Sequence, residues 1–139
     1  MTTATLARPA LHQGAGSHPT DVYGLRLTTT AEAAAAYNCG LGSVLRVHSG
    51  AESAFREAVA LDPGFALGYA GLALVGHEYG AEVDVTSALR AAEMAARRRC
   101  SERERSHVAA VAARVRGTSD ALTAHLAAYP LDPLLVSFA

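Results

Sequence analysis

Ala51-Glu52-Ser53-Ala54-Phe55-Arg56-Glu57-Ala58-Val59-Ala60-Leu61-Asp62-Pro63 is the stretch that decides the fold. Ala51, Ala54, Phe55, Ala58 and Val59 recur at i, i+3, i+4, i+7 and i+8, which puts them on one face of a helix. Asp62-Pro63-Gly64 ends the run, because proline has no N–H to continue the hydrogen-bond ladder. Upstream, Val47-His48-Ser49-Gly50 supplies a turn. Before it, Thr29-Thr30-Ala31-Glu32 has capping-box spacing, with the Thr29 hydroxyl facing an orphan amide and Glu32 reaching back. The pattern predicts a first helix from Thr29 to about Arg46 that packs antiparallel to the second.

The same alternation of helix, glycine turn, helix and proline continues downstream. Phe65 to about Tyr79 reads as a third helix, with Tyr69, Leu72, Ala73 and Gly76 along one side and Gly80 as its stop. A fourth runs from about Asp84 to Arg99 and buries Ala88, Leu89, Ala92 and Ala95 or Ala96. Ser101-Glu102-Arg103-Glu104 is a second capping box, opening a helix with Val108, Val111, Ala112 and Val115 inward. Ser119 to Tyr129 is a sixth, with Leu122 and Leu126 inward. Asp132 and Pro133 then look like the N-cap and first residue of a seventh helix over 134–139. Ahead of all these, Asp21 to Leu27 alternates apolar residues around Gly24 and predicts an extended lead-in anchored by Tyr23 and Leu25. Residues 1–19 lack sustained periodicity and predict a mobile arm, so the folded domain is expected over 20–139.

Composition narrows the class. The chain has 139 residues, enough for one domain with a real core. Half of the residues are hydrophobic, yet only 6% are aromatic and none is Trp, so the core depends on close helix contact around alanine. All 12 basic residues are arginine against 13 acidic ones, and a net charge of −1 gives no global attraction to nucleic acid or an anionic membrane. Arg97-Arg98-Arg99 through Arg105 is interrupted by Glu102 and Glu104 without interleaved aromatics, which reads as a solvated turn with ion pairs. The two cysteines, Cys39 and Cys100, lack CxxC spacing and read as free thiols in a reducing, cytoplasmic setting. No apolar run is long enough to span a membrane. No cofactor or metal is implied.

Counted outward from Ala51–Pro63, the spacing resembles the tetratricopeptide repeat, whose period is 34 residues. Ala51, Phe55, Ala58 and Pro63 fall on the small, aromatic, small and proline positions of its second helix. Tyr69, Leu72, Ala73 and Gly80 fall on the aromatic, leucine, small and turn-glycine positions of the next first helix. Asp21-Val22-Tyr23-Gly24, Asp62-Pro63-Gly64-Phe65-Ala66-Leu67, Ser101-Glu102-Arg103-Glu104-Arg105 and Tyr129-Pro130-Leu131-Asp132 are similar to the start of the tetratricopeptide repeat protein 38 family. The resemblance implies an all-α, right-handed superhelix of about three antiparallel hairpins, at 29–61, 65–99 and 102–129, with the start of a further helix at 133–139. The unfinished helix predicts a truncated array.

The resemblance also implies a protein-interaction scaffold that docks a peptide or protein partner on its concave face. Carried over residue by residue, that face is expected at Leu67, Ala70, Leu74, His77 and Glu78 of one repeat and Glu104, His107, Val111, Arg114 and Val115 of the next. Ala70, Leu74 and Val111 cannot supply the donors of a carboxylate clamp. The alternative is a helical enzyme or enzyme-associated domain using His77, Glu78 and His107, although HExxH, GxSxG and phosphate-loop motifs are all missing. His48 and His125 read as structural, and His12 and His18 in the arm lack a third metal ligand. At the C-terminal end Leu134, Leu135, Val136 and Phe138 have no evident partner helix, which predicts a homodimer or an exposed apolar end.

Overall fold

Phe55, the aromatic residue of the deciding stretch, is fully buried, and the helices are arranged around it. A computed structural model describes residues 18–139, so the expected arm, including His12, lies almost entirely outside the described residues. The helices are α1 (Ala31–Leu45), α2 (Ala51–Leu61), α3 (Ala66–Tyr79), α4 (Val85–Arg98), α5 (Glu102–Val115), α6 (Asp120–Ala128) and the short α7 (Pro133–Val136). Among the described residues the only extended pairing is one isolated antiparallel bridge between Thr20 and Arg26. Helices adjacent in sequence pack most closely, as α1 with α2, α3 with α4 and α5 with α6, and α2 with α3 and α3 with α5 join the pairs.

Alanine and glycine permit this closeness. Gly40 of α1 and Gly71 of α3 face the Phe55 ring from either side, where an added Cβ would lie 2.7 Å and 3.0 Å from its nearest ring carbons. Tyr37 closes the cluster, its ring centroid 5.5 Å from that of Phe55 and 5.3 Å from that of Phe65. Burial pushes the Tyr37 hydroxyl well above its ordinary range, so it stays protonated.

Local signals place most helix ends where the sequence predicts them. Gly80 ends α3 at φ 70°. Ser101 accepts a hydrogen bond from the Glu104 N–H while the Glu104 carboxylate accepts one from the Ser101 N–H, a complete capping box. Replacing Ser101 with Ala is expected to lower stability by about 1 kcal/mol, read as a lower urea midpoint at unchanged slope.

Three local expectations are corrected. The cap of α1 is Thr30, whose hydroxyl accepts from the Ala33 N–H, because Thr29 instead donates to Asp62 across the hairpin at 2.6 Å. Tyr23 is 59% exposed and Leu25 only half-buried, and the lead-in is anchored by the fully buried Leu27. The cause is a tight turn, in which the Asp21 carboxylate accepts from the Tyr23 and Leu25 N–H groups and Gly24 adopts φ 83°, turning Tyr23 outward. At the other end, Leu134, Leu135 and Phe138 are buried and only Val136 stays exposed. After Pro133 the chain turns back so that α7 packs against α1, α5 and α6, which covers most of the apolar end expected to dimerise.

Candidate functional site

A face of α5 collects side chains that pure core packing would not need. Arg103 and His107, one turn apart, are buried together with His125 of α6 and Asp132 at the start of α7. Asp132 occupies the expected N-cap position of α7 but makes no side-chain cap. Its Oδ2 instead accepts from Arg103 Nη1 at 3.0 Å and lies 2.8 Å from both His107 Nδ1 and His125 Nε2. Arg103 also donates to the Arg26 carbonyl of the lead-in at 2.7 Å. His125 Nδ1 is 2.7 Å from the Ser106 hydroxyl. With both imidazoles donating to Asp132, the Ser106 hydroxyl donates to His125, and one carboxylate organises three donors directly and Ser106 through His125.

Burial pushes the Asp132 carboxyl upward, but the His107 ring, the hydrogen bonds from both imidazoles and the Arg103 guanidinium outweigh it and hold the group far below the usual carboxylate range. Glu104 behaves similarly. Burial raises it, whereas the Thr28 hydroxyl and N–H and the Ser101 N–H and hydroxyl bring it below its ordinary value. The lead-in is thereby tied to α5 twice, through Thr28 to Glu104 and through Arg26 to Arg103.

His107, His125 and Asp132 present one ligating atom each within 4.8 Å of one another. Tetrahedral zinc spaces its ligand atoms by about 3.3 Å, from metal–ligand distances of about 2.0 Å. Here both nitrogens stand at proton-sharing distance from a single oxygen, and the Arg103 cation touches that same oxygen. The geometry is that of an ion-paired centre joining α5, α6, α7 and the lead-in. His107 Nε2, buried and without a hydrogen-bond partner among the described residues, is its one unsatisfied atom.

The residues expected to line a concave groove separate into two groups. Leu67, Ala70, Leu74, Glu104, His107 and Val111 are buried inside the folded chain. The physical reason is that α3 is enclosed by α2, α4 and α5, while the lead-in and α7 lie against α5. His77, Glu78 and Arg114 remain accessible and line a polar cleft of about 340 Å³ with Gly117, Thr118 and Ser119. Both Glu78 oxygens bond Arg114, which holds the Glu78 carboxyl below its ordinary range, and His77 Nε2 is 3.8 Å from Glu78 Oε2. His107 is absent from this cleft and turned to Asp132, so the catalytic trio suggested by the sequence is not assembled. Val115 is partly buried against the core.

No family model, curated protein or solved structure matches this chain. Function therefore has to be read from its own surfaces.

Two accessible apolar surfaces stand out. One is a cleft of about 310 Å³ at the α1–α2 turn, lined by Val44, Val47, Val75 and Tyr79. Val47 is held there at φ 55°, a conformation a β-branched side chain rarely adopts, and is 83% exposed. The other is longer. Two adjoining hollows of about 360 and 500 Å³ share Tyr69 and Ala91 and form a groove between α2 and α4. The sequence points to α3 and α5 rather than to this groove, and the apolar Ala60, Ala91 and Met94 outside the main stripes are its one local signal. The cysteines offer no reactive centre at neutral pH on the Cys100 side, where burial, aided by Glu104, pushes the thiol up to about 11. Among the described residues no helix is long and apolar enough to cross a membrane.

Proposed function

We propose that this chain is a protein-interaction module built from tetratricopeptide-like hairpins, and that its partner is met on the α2–α4 side. The order of paired helices supports the solenoid reading. The contact of α7 with α1 departs from a simple stack, in which each repeat touches only its neighbours. The single observation that carries the functional reading is the α2–α4 groove. Exposed apolar surface gathers there, around Tyr69, Ala91 and the 45% exposed Met94, while the inner positions of α3 and α5 are closed by the chain itself.

A photo-crosslinking amino acid at position 94, introduced into the intact chain in cells that naturally make it, tests this reading. One discrete protein adduct is expected from position 94, diminished by Ala91→Glu and not reproduced from the exposed control position Leu131. Equal, diffuse adducts from both positions, or none from 94, would remove it.

A further inference from the structure

The groove between α2 and α4 has a charge pattern as well as an apolar floor. Tyr69 and Leu72 of α3 form the floor, Val59 and Ala60 one wall, and Ala88 and Ala91 the other. At one end the Arg56 guanidinium reaches from α2 to the Glu82 carbonyl while pairing with Glu52, so its charge is already engaged. Asp84 at that end caps α4 through the Ser87 N–H. At the other end, beyond Pro63 and Met94, stand Arg98 and Arg99. Arg99 bonds Asp62 at 2.6 Å, and Arg98 has no ion-pair partner among the described residues. Among the described residues neither Arg98 nor Asp84 has an ion-pair partner, so the groove is polarised, positive at the Arg98 end and negative at the Asp84 end.

We infer that the occupant is an amphipathic α-helix of a partner protein, carrying an apolar stripe and a carboxylate-bearing residue at the end that meets Arg98. The inference rests on the interaction reading above. Length fits, since the stretch of α4 from Asp84 to Arg98 spans about 21 Å, close to four helical turns. Small residues on both walls let a third helix axis approach closely. An extended peptide is disfavoured because it would need backbone partners, and the lining offers no strand edge and Ser87 as its one hydroxyl besides that of Tyr69.

The test is a display selection on the folded 139-residue chain, using helix-forming peptides of about 16 residues with apolar residues at i, i+3, i+4 and i+7 and randomised flanks. Selected peptides should carry Asp or Glu at one end and should shift the amide resonances of Val59, Ala60, Ala91 and Ala95. Arg98→Glu should weaken them about tenfold and reverse the preferred flank charge, while Ala91→Trp should abolish binding with the circular dichroism unchanged. Flanks without acidic bias, affinities indifferent to Arg98→Glu, shifts confined elsewhere, self-association through this face or an empty selection would each overturn the inference. A discrete adduct at position 94 combined with any of these results would leave the interaction reading standing and sink only the helix assignment.

Discussion

Asp132→Asn is expected to destabilise the chain by about 3–5 kcal/mol, the cost of breaking a buried ion pair from one side. Arg103 would keep its charge, with its side chain only 9% exposed, and would lose its counter-ion. The asparagine Oδ1 could take the place of Oδ2 before the same three donors, but as a neutral oxygen it is the weaker acceptor and brings no charge to balance the guanidinium. Because native domains are stable by about 5–15 kcal/mol, a substantial part of the total is at stake. The measurement is urea unfolding followed by circular dichroism at neutral pH. A loss below about 1 kcal/mol would show that the centre contributes little. The lead-in should loosen with it, seen as faster hydrogen exchange at the Leu27 N–H, since Arg103 also holds the Arg26 carbonyl.

The same centre sets an acid dependence with a definite sign. Asp132, Glu104, Asp62 and Glu78 all have folded values below their ordinary ones. The unfolded chain therefore binds more protons than the folded chain once the pH falls below about 4, and stability declines there. Asp21 acts in the opposite direction, since burial raises its carboxyl despite the two N–H groups it accepts from. With Asp84 also lowered by its bond from the Ser87 N–H, five lowered carboxyls against this one leave a net loss toward acid. The stability gap between the parent chain and Asp132→Asn should begin to narrow as the pH drops from about 5 to 3, because the unfolded Asp132 takes up its proton over that window while the folded one stays ionised.

The sequence displays the helices but hides this centre, and the reason is physical. Helix starts and stops are local matters of caps, glycine and proline, so Ser101, Gly80 and Asp62-Pro63 announce themselves within four residues. The partners of Asp132 lie 29 and 25 positions away for Arg103 and His107, and no short-range spacing connects them. Worse, Asp132-Pro133 looks like a helix N-cap, so local chemistry suggests a role that the tertiary structure overrides. A trace was present nonetheless. Arg103 and His107 lie on the same α5 stripe as Val111, and His125 follows the buried Leu122 on α6, which places three polar residues on core-facing positions. Buried polar groups need partners, so such residues signal a network even when its members cannot be named. The burial of Leu67, Ala70, Leu74 and Val111 is hidden from the sequence for a related reason. The repeat pattern tells which side of α3 packs against its hairpin partner, but only the assembled chain reveals that α5 also covers it and that the lead-in and α7 return to α5.

Phe55→Ala is the second large effect, expected to cost about 3–5 kcal/mol through lost burial and the cavity left behind. The ring joins three helices. It projects from α2 between Gly40 of α1 and Gly71 of α3, and Tyr37 stands against it. Alanine at 55 would leave both glycines facing a void that α1 and α3 cannot close without shifting the hairpin. The glycines give a finer test, because two terms compete in them. Gly→Ala inside a helix gains about 1 kcal/mol of propensity, whereas overpacking a core costs about 1–3 kcal/mol. At Gly40 the new Cβ would meet ring carbons at 2.7 and 2.8 Å, so the clash wins and stability falls. At Gly71 the closest ring carbons are at 3.0 Å, and the loss should be smaller. Combining Gly40→Ala with Phe55→Leu should recover part of what either change loses alone, since the smaller side chain vacates the space the methyl needs. Strict additivity of the two changes in urea unfolding would show that the Phe55 ring is not what makes position 40 a glycine.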